Sequence, residues 1–149
     1  MYVVERSFDY EYPVARVWDV FTDLENWGEW SEVRGLFKKS RMSFAPAEGS
    51  LRGPGLKIVA SNKKGHAHTL VAQEWEKPRK IRFLTFEKGP DAAFKLDMTW
   101  LFTAKGALAT HFDYHLEFDV DVPALFAPFV QRSAEKKIDE IFKRGRTFL

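Results

Sequence analysis

The chain has 149 residues, of which 45% are hydrophobic and 30% charged, with a formal net charge of +2 and no cysteine. That length predicts one domain, residues 1–149, with a radius of gyration of roughly 15 Å. The absence of cysteine excludes disulfides, zinc–thiolate sites, iron–sulfur clusters and thiol nucleophiles, and so small a net charge argues for neither nucleic acid nor an anionic membrane as partner.

No apolar run approaches the ~18 residues of a membrane span. Glu5, Arg6, Asp9 and Glu11 make the first residues unlike a secretory signal, so the expectation is a cytoplasmic protein. The composition is most unusual in its fourteen Phe, five Trp and four Tyr, 15% of the chain.

In chain order, residues 2–10 read as a strand carrying Val3, Val4, Phe8 and Tyr10 among polar residues. Pro13 suits the first turn of a helix, where its missing N–H costs nothing. Val14, Val17, Trp18 and Phe21 then fall at i, i+3, i+4 and i+7, one apolar helical face. Asp23 is placed to cap a second short helix that buries Leu24 and Trp27 and ends at Gly28.

The pattern then changes to strands. Residues 33–40 are a weak candidate, and residues 45–55, with Pro46, Gly49, Gly53, Pro54 and Gly55, read as a loop. Strands are predicted at 56–61, 66–75 and 80–86, separated by a hairpin turn at 62–65 and a break at 76–78, with a loop at 88–91. Two longer strands close the series, 94–104 and 108–118, joined by a tight turn at Lys105-Gly106. Short connections make consecutive strands antiparallel.

Both closing strands alternate. Phe94, Leu96, Met98, Trp100 and Phe102 share one face, with Lys95, Asp97 and Thr99 opposite. On the partner, Phe112, Tyr114, Leu116 and Phe118 oppose His111, Asp113, His115 and Glu117. The sheet therefore has one apolar and one wet face. A final helix is predicted from an Asp121 cap to about Thr147, about 38 Å long at about 1.5 Å per residue. Its stripe is Leu125, Phe126, Phe129, Val130, Ala134, Ile138, Ile141 and Phe142, and Pro128 either kinks it or delays its start. Only the apolar sheet face matches it in size.

The stretch Phe8-x4-Pro13-x4-Trp18-x2-Phe21-x-Asp23-x3-Trp27-x2-Trp30 resembles the N-terminal signature of the START-like (SRPBCC) superfamily. Glu74-x3-Pro78-x2-Ile81-x-Phe83 resembles the hairpin between two of its middle strands, and Gly53-Pro54-Gly55 its glycine-rich approach to the third strand. The resemblance covers essentially the whole chain. It implies an α+β helix-grip fold: a curved antiparallel sheet of about seven strands around a long C-terminal helix, with two short helices after the first strand. It also implies a cavity between sheet and helix. The iron-binding set of the superfamily's Rieske members lacks its partner segments here and is not carried over.

In such a cavity Phe83, Met98, Trp100, Phe102, Phe112 and Tyr114 would line an apolar pocket, or else fill a core. Phe129 would face them from the helix. Lys137 falls near the middle of the helical stripe and Ser133 toward its edge. An ammonium there would meet a ligand's acidic or carbonyl group, or snorkel to water. Tyr114 is the weak catalytic candidate, its hydroxyl able to orient a carbonyl or act as an acid, with Thr110 and Thr85 as polar neighbours.

His66 and His68, and likewise His111, Asp113 and His115, have the residue types of metal ligands, but the second set lies on the wet face, so no metal is expected. No cofactor is expected, and no nucleophile or phosphate-loop motif is present. Clusters around Lys77–Arg82 and Lys143–Arg146 are diluted by carboxylates and read as solvated surface.

The leading expectation is binding of a hydrophobic or aromatic small molecule, lipid-like or polyketide-like. The alternatives are a polyketide cyclase/aromatase-type enzyme and a protein-interaction module with a filled core. Oligomeric state is left open.

Overall fold

A computed structural model of the protein describes residues 1–27, 33–34, 39–40, 42–62, 67–88, 93–119 and 122–149. Among them are nine strands. β1 (Tyr2–Tyr10) is followed by helix α1 (Val14–Phe21) and a 3-10 turn at Leu24–Asn26. Then come β2 (Val33–Arg34), β3 (Lys39–Ser40), β4 (Met42–Pro46), β5 (Lys57–Asn62), β6 (Ala67–Glu76), β7 (Lys80–Lys88), β8 (Ala93–Ala104) and β9 (Thr110–Asp119). Helix α2 (Ala127–Gly145) closes the chain, flanked by 3-10 turns at Ala124–Phe126 and Arg146–Phe148. The main sheet has seven strands in the order β1-β9-β8-β7-β6-β5-β4, every neighbouring pair antiparallel. This is the expected helix-grip arrangement.

The alternation of β8 and β9 appears directly in their register. Trp100 lies opposite Tyr114, Phe102 opposite Phe112 and Met98 opposite Leu116. The two strands turn through Gly106, whose φ of 74° is open to glycine at no steric cost. β6 carries an irregularity between Ala72 and Glu74, the kind of insertion that bends a sheet. Gly55, at φ 85°, sends its N–H to the Ala72 carbonyl at 2.7 Å and so starts β5 against β6.

α1 presses Val17, Trp18 and Phe21 into the core, and the Thr22 hydroxyl donates to the Trp18 carbonyl at its end. Asp23 stands at the start of the next turn, but its carboxylate takes the Asn26 side-chain amide at 2.6 Å rather than a backbone N–H.

α2 is held along β1, the free edge of the sheet. Gln131 donates to the Val3 carbonyl, Arg146 to the Asp9 carbonyl, and the Tyr10 hydroxyl to the Phe142 carbonyl. Arg6 also donates to the Glu5 carbonyl, its neighbour on the same strand.

The structure corrects four expectations. The last helix starts at Ala127, because Pro128 has no N–H and is accommodated only in the first turn. At 19 residues its α-helical part is about 28 Å long. Leu125, Phe126 and Phe129, read as buried stripe, are 84%, 50% and 54% exposed, since they precede the part of α2 that reaches the sheet. The loop expected from residue 45 begins later, because Met42–Pro46 pairs with β5 as the other edge strand. The 33–40 candidate is a pair of two-residue strands in a small separate sheet. Gly28, Trp30, the turn at 63–65, His66, the loop at 89–91 and the Asp121 cap lie outside the described residues.

Candidate functional site on the inner sheet face

The inner face is built by β7, β8 and β9. Phe83, Thr85, Trp100, Phe102, Phe112 and Tyr114 are all buried there. Their rings pack edge-on and tilted: Phe102 to Phe112 at 5.0 Å, Phe83 to Trp100 at 5.6 Å and Trp100 to Phe112 at 5.9 Å. From α2, Phe142 reaches Phe112 at 4.8 Å, Tyr114 at 5.2 Å and Trp100 at 5.8 Å. Such geometry adds about 0.5–1.5 kcal/mol per pair beyond area burial.

Burial is graded along the strands. On β8, Phe102 and Trp100 are buried while Met98 and Leu96 are partly exposed; on β9, Phe112, Tyr114 and Leu116 are buried while Phe118 is partly exposed. The partly covered end coincides with the first turns of α2. Tyr2 stacks on Phe118 at 5.1 Å, and Gln131 sits at the neighbouring Val3 carbonyl. Phe129 stands there, more than half exposed, whereas Ser133 and Lys137 follow along the helix at intermediate exposure. The wall residues Phe83, Thr85, Met98, Trp100, Phe102, Phe112 and Tyr114 are thus brought onto one face. The helical candidates flank it, without a described contact to the wall.

Two polar groups in the wall stand out. Trp100 is 4% exposed and its Nε1–H, a donor with no acceptor role, has no partner among the described residues. Directly across the register, the Tyr114 hydroxyl also makes no hydrogen bond to a described residue, and burial raises its pKa, so at neutral pH it is a protonated donor. The other hydroxyls are occupied: Thr85 donates to the Thr69 carbonyl at 2.9 Å and Thr110 to the Tyr12 carbonyl at 2.8 Å.

Two features of this region were not read from the sequence. Spacing puts Trp27 with the helical segment, yet its ring lies 5.7 Å from Trp100 and 5.9 Å from Phe83. Its indole N–H is satisfied by the Phe21 carbonyl at 2.6 Å. Arg6 points from β1 toward α2, bonding Glu135 at 2.5 Å and Asp139 at 2.9 Å. The hydrogen bond to Glu135 raises the guanidinium pKa and lowers that of Glu135. The side chain's place in the β1 alternation, between Val4 and Phe8, was the available signal.

On the outer face, Arg82 forks onto both Asp97 oxygens at 3.0 and 2.8 Å, which lowers the Asp97 pKa. His111 lies between Asp9 and Asp113, and His115 beside Glu5. The histidines thus pair with carboxylates across the β1–β9 seam, and no metal-holding group of three occurs among the described residues. No helix among them is long and apolar enough to cross a membrane.

An open antiparallel sheet with an aromatic inner wall, gripped by one long helix, defines a protein of the START and polyketide cyclase-like fold. The chain belongs to the family described as polyketide cyclase / dehydrase and lipid transport, whose model matches residues 1–146. Among solved structures it is similar to a conserved protein from Geobacillus kaustophilus, with 16% identity, a TM-score of 0.72 and coverage of 97% of this chain and 93% of that one. It is also similar to a START superfamily protein from Mycobacterium smegmatis, with 12% identity, a TM-score of 0.69 and coverage of 99% and 96%. A third likeness is to the di-domain ARO/CYC protein BexL from the BE-7585A biosynthetic pathway, with 16% identity and a TM-score of 0.63. There 95% of this chain covers 45% of that one. A search of curated proteins returned no match.

Proposed function

We propose that the protein binds a hydrophobic or aromatic small molecule, lipid-like or polyketide-like, against the inner sheet face beside α2. The observation that carries this reading is the unpaired Trp100 N–H, buried in an otherwise aromatic wall. A buried donor without an acceptor costs about 1–3 kcal/mol, a cost that a ligand carbonyl or ether oxygen would relieve. The ligand body would lie toward Met98, Leu96 and Phe118, where the wall is incompletely covered, and would pass Phe129, Ser133 and Lys137. The family description, which includes lipid transport, supports the same reading.

Native mass spectrometry of protein purified from its host tests it. A co-purified apolar mass is expected, and Trp100→Phe should weaken its retention. A ligand-free protein that also fails to take up any member of a lipid and aromatic polyketide panel would overturn the reading.

A second reading, a polyketide cyclase/aromatase-type enzyme, is favoured by the Tyr114 hydroxyl opposite Trp100. It is protonated and unpaired among the described residues, and so is a donor suited to a developing enolate. The likeness to BexL points the same way at fold level only. Tyr114→Phe should then cut turnover of a linear poly-β-ketone while leaving its binding largely intact; unchanged turnover would count against it.

A further inference from the structure

A crevice of about 490 Å³ lies between α2 and the edge of β1 and shares Phe142 with the aromatic packing just described. Phe8 is partly exposed in it, with Phe142 5.4 Å behind. Lys136, Lys143 and Arg146 rim it, and none of the three has a carboxylate within ion-pair distance among the described residues. Asp139 also lines the crevice and pairs with Arg6 at 2.9 Å, a guanidinium it shares with Glu135. With Glu140 as the other lining carboxylate, three cations face two carboxylates, so the lining keeps a positive excess of one.

Cations near a helix C-terminus are favoured by the helix dipole. That accounts for Lys143 and Arg146, in and just past the last turn, but not for Lys136, two turns earlier on the same face. Arg146 is held in place by the Asp9 carbonyl and lies over the Tyr10 ring at 5.2 Å.

The volume is that of a small-molecule site. A peptide strand is a poor occupant. The carbonyls of Val3, Glu5 and Asp9 are already taken by Gln131, Arg6 and Arg146, which removes much of the ladder an added strand would need. We propose that this crevice binds a small aromatic anion, its ring against Phe8 and its acid group between Lys136 and Lys143.

The test is a titration of isotope-labelled protein with naphthoate at low salt, followed by proton–nitrogen correlation spectra. The expected shifts centre on the amides of Phe8, Lys136 and Lys143, and weaken as salt is raised from about 20 to about 500 mM. Lys143→Glu should loosen binding by about tenfold or more, and Glu140→Gln should tighten it. Lys143 is exposed and Glu140 partly exposed on α2, so both variants keep the fold. Shifts confined to the inner-face strands, or titrations of Lys143→Glu and wild type that superimpose, would overturn the proposal.

Discussion

Arg6 of β1 and Glu135 of α2 meet at 2.5 Å although 129 residues separate them in the chain, and Asp139 takes the second edge of the same guanidinium at 2.9 Å. The pair ties the sheet's edge strand to the helix. Arg6→Met keeps the stem but removes the fork, and should lower Tm by a few degrees with an unchanged denaturant m-value. Because Arg6 holds the Glu135 carboxyl below its ordinary pKa, this stabilisation is present above the ordinary carboxylate range and is lost as pH falls through the depressed value. The wild-type advantage over Arg6→Met should therefore shrink in acid. An advantage that does not change with pH would contradict the assignment.

The two buried tyrosines should respond differently to the same substitution. Tyr10→Phe removes a bond to the Phe142 carbonyl at 3.3 Å and should cost about 0.5–1.5 kcal/mol. Tyr114→Phe removes a hydroxyl that makes no hydrogen bond to a described residue, and should leave stability nearly unchanged. Urea unfolding of both variants checks this; equal losses would mean that Tyr114 is bonded.

Phe142 joins helix and sheet more than any other side chain of α2, with ring contacts to Phe8, Phe21, Trp100, Phe112 and Tyr114. Phe142→Ala should cost about 3–5 kcal/mol, a large share of the stability of an ordinary domain. Equilibrium unfolding measures it, and a loss under about 1 kcal/mol would show that the helix docks by other means.

His111 presents both ring nitrogens to carboxylates, Nδ1 to Asp9 at 2.7 Å and Nε2 to Asp113 at 3.1 Å. Only the imidazolium donates at both, so its pKa is raised, chiefly by the Asp9 hydrogen bond. A raised folded pKa gives stability that is complete below the ordinary value of about 6.5 and is lost as pH climbs through the folded one. Thermal unfolding from about pH 6 to about pH 9 should show a decline in wild type that His111→Gln lacks. Parallel curves would remove the histidine from the account.

Phe129, more than half exposed, should tolerate Phe129→Ser within about 0.5 kcal/mol, the range of ordinary surface changes. If it stands beside the ligand path, uptake of an apolar ligand should slow while stability holds. A large loss of stability would mean that its ring is covered in solution.

What could be read in advance follows from how local each cause is. β8 and β9 alternate strictly, so a period of two residues placed Trp100, Phe102, Phe112 and Tyr114 on one face before any contact was known. The register places Arg6 opposite Tyr114, on the inner side of β1, yet its partners lie 129 and 133 residues away, beyond any local pattern. β4 escaped because five residues ending in Pro46 carry little periodicity, and their pairing with β5 is the whole reason for the strand. Helical spacing grouped Leu125, Phe126 and Phe129 with Phe142, but it does not say how far the helix stays against the sheet. Trp27 joined the wall because a short 3-10 turn swings it there, a matter of chain direction rather than of spacing.

β1 lies against β9 from Tyr2↔Phe118 to Tyr10↔Thr110. Within this fold, β1 thus has no sheet partner until about a hundred further residues have been made. The sheet therefore closes on its first strand only once β9 has been made, and this one distant pairing sets a slower folding step than the consecutive hairpins of β4 to β9. Until then, the apolar face of β1, with Val4, Phe8 and Tyr10, is a surface that chaperones or neighbouring nascent chains meet first.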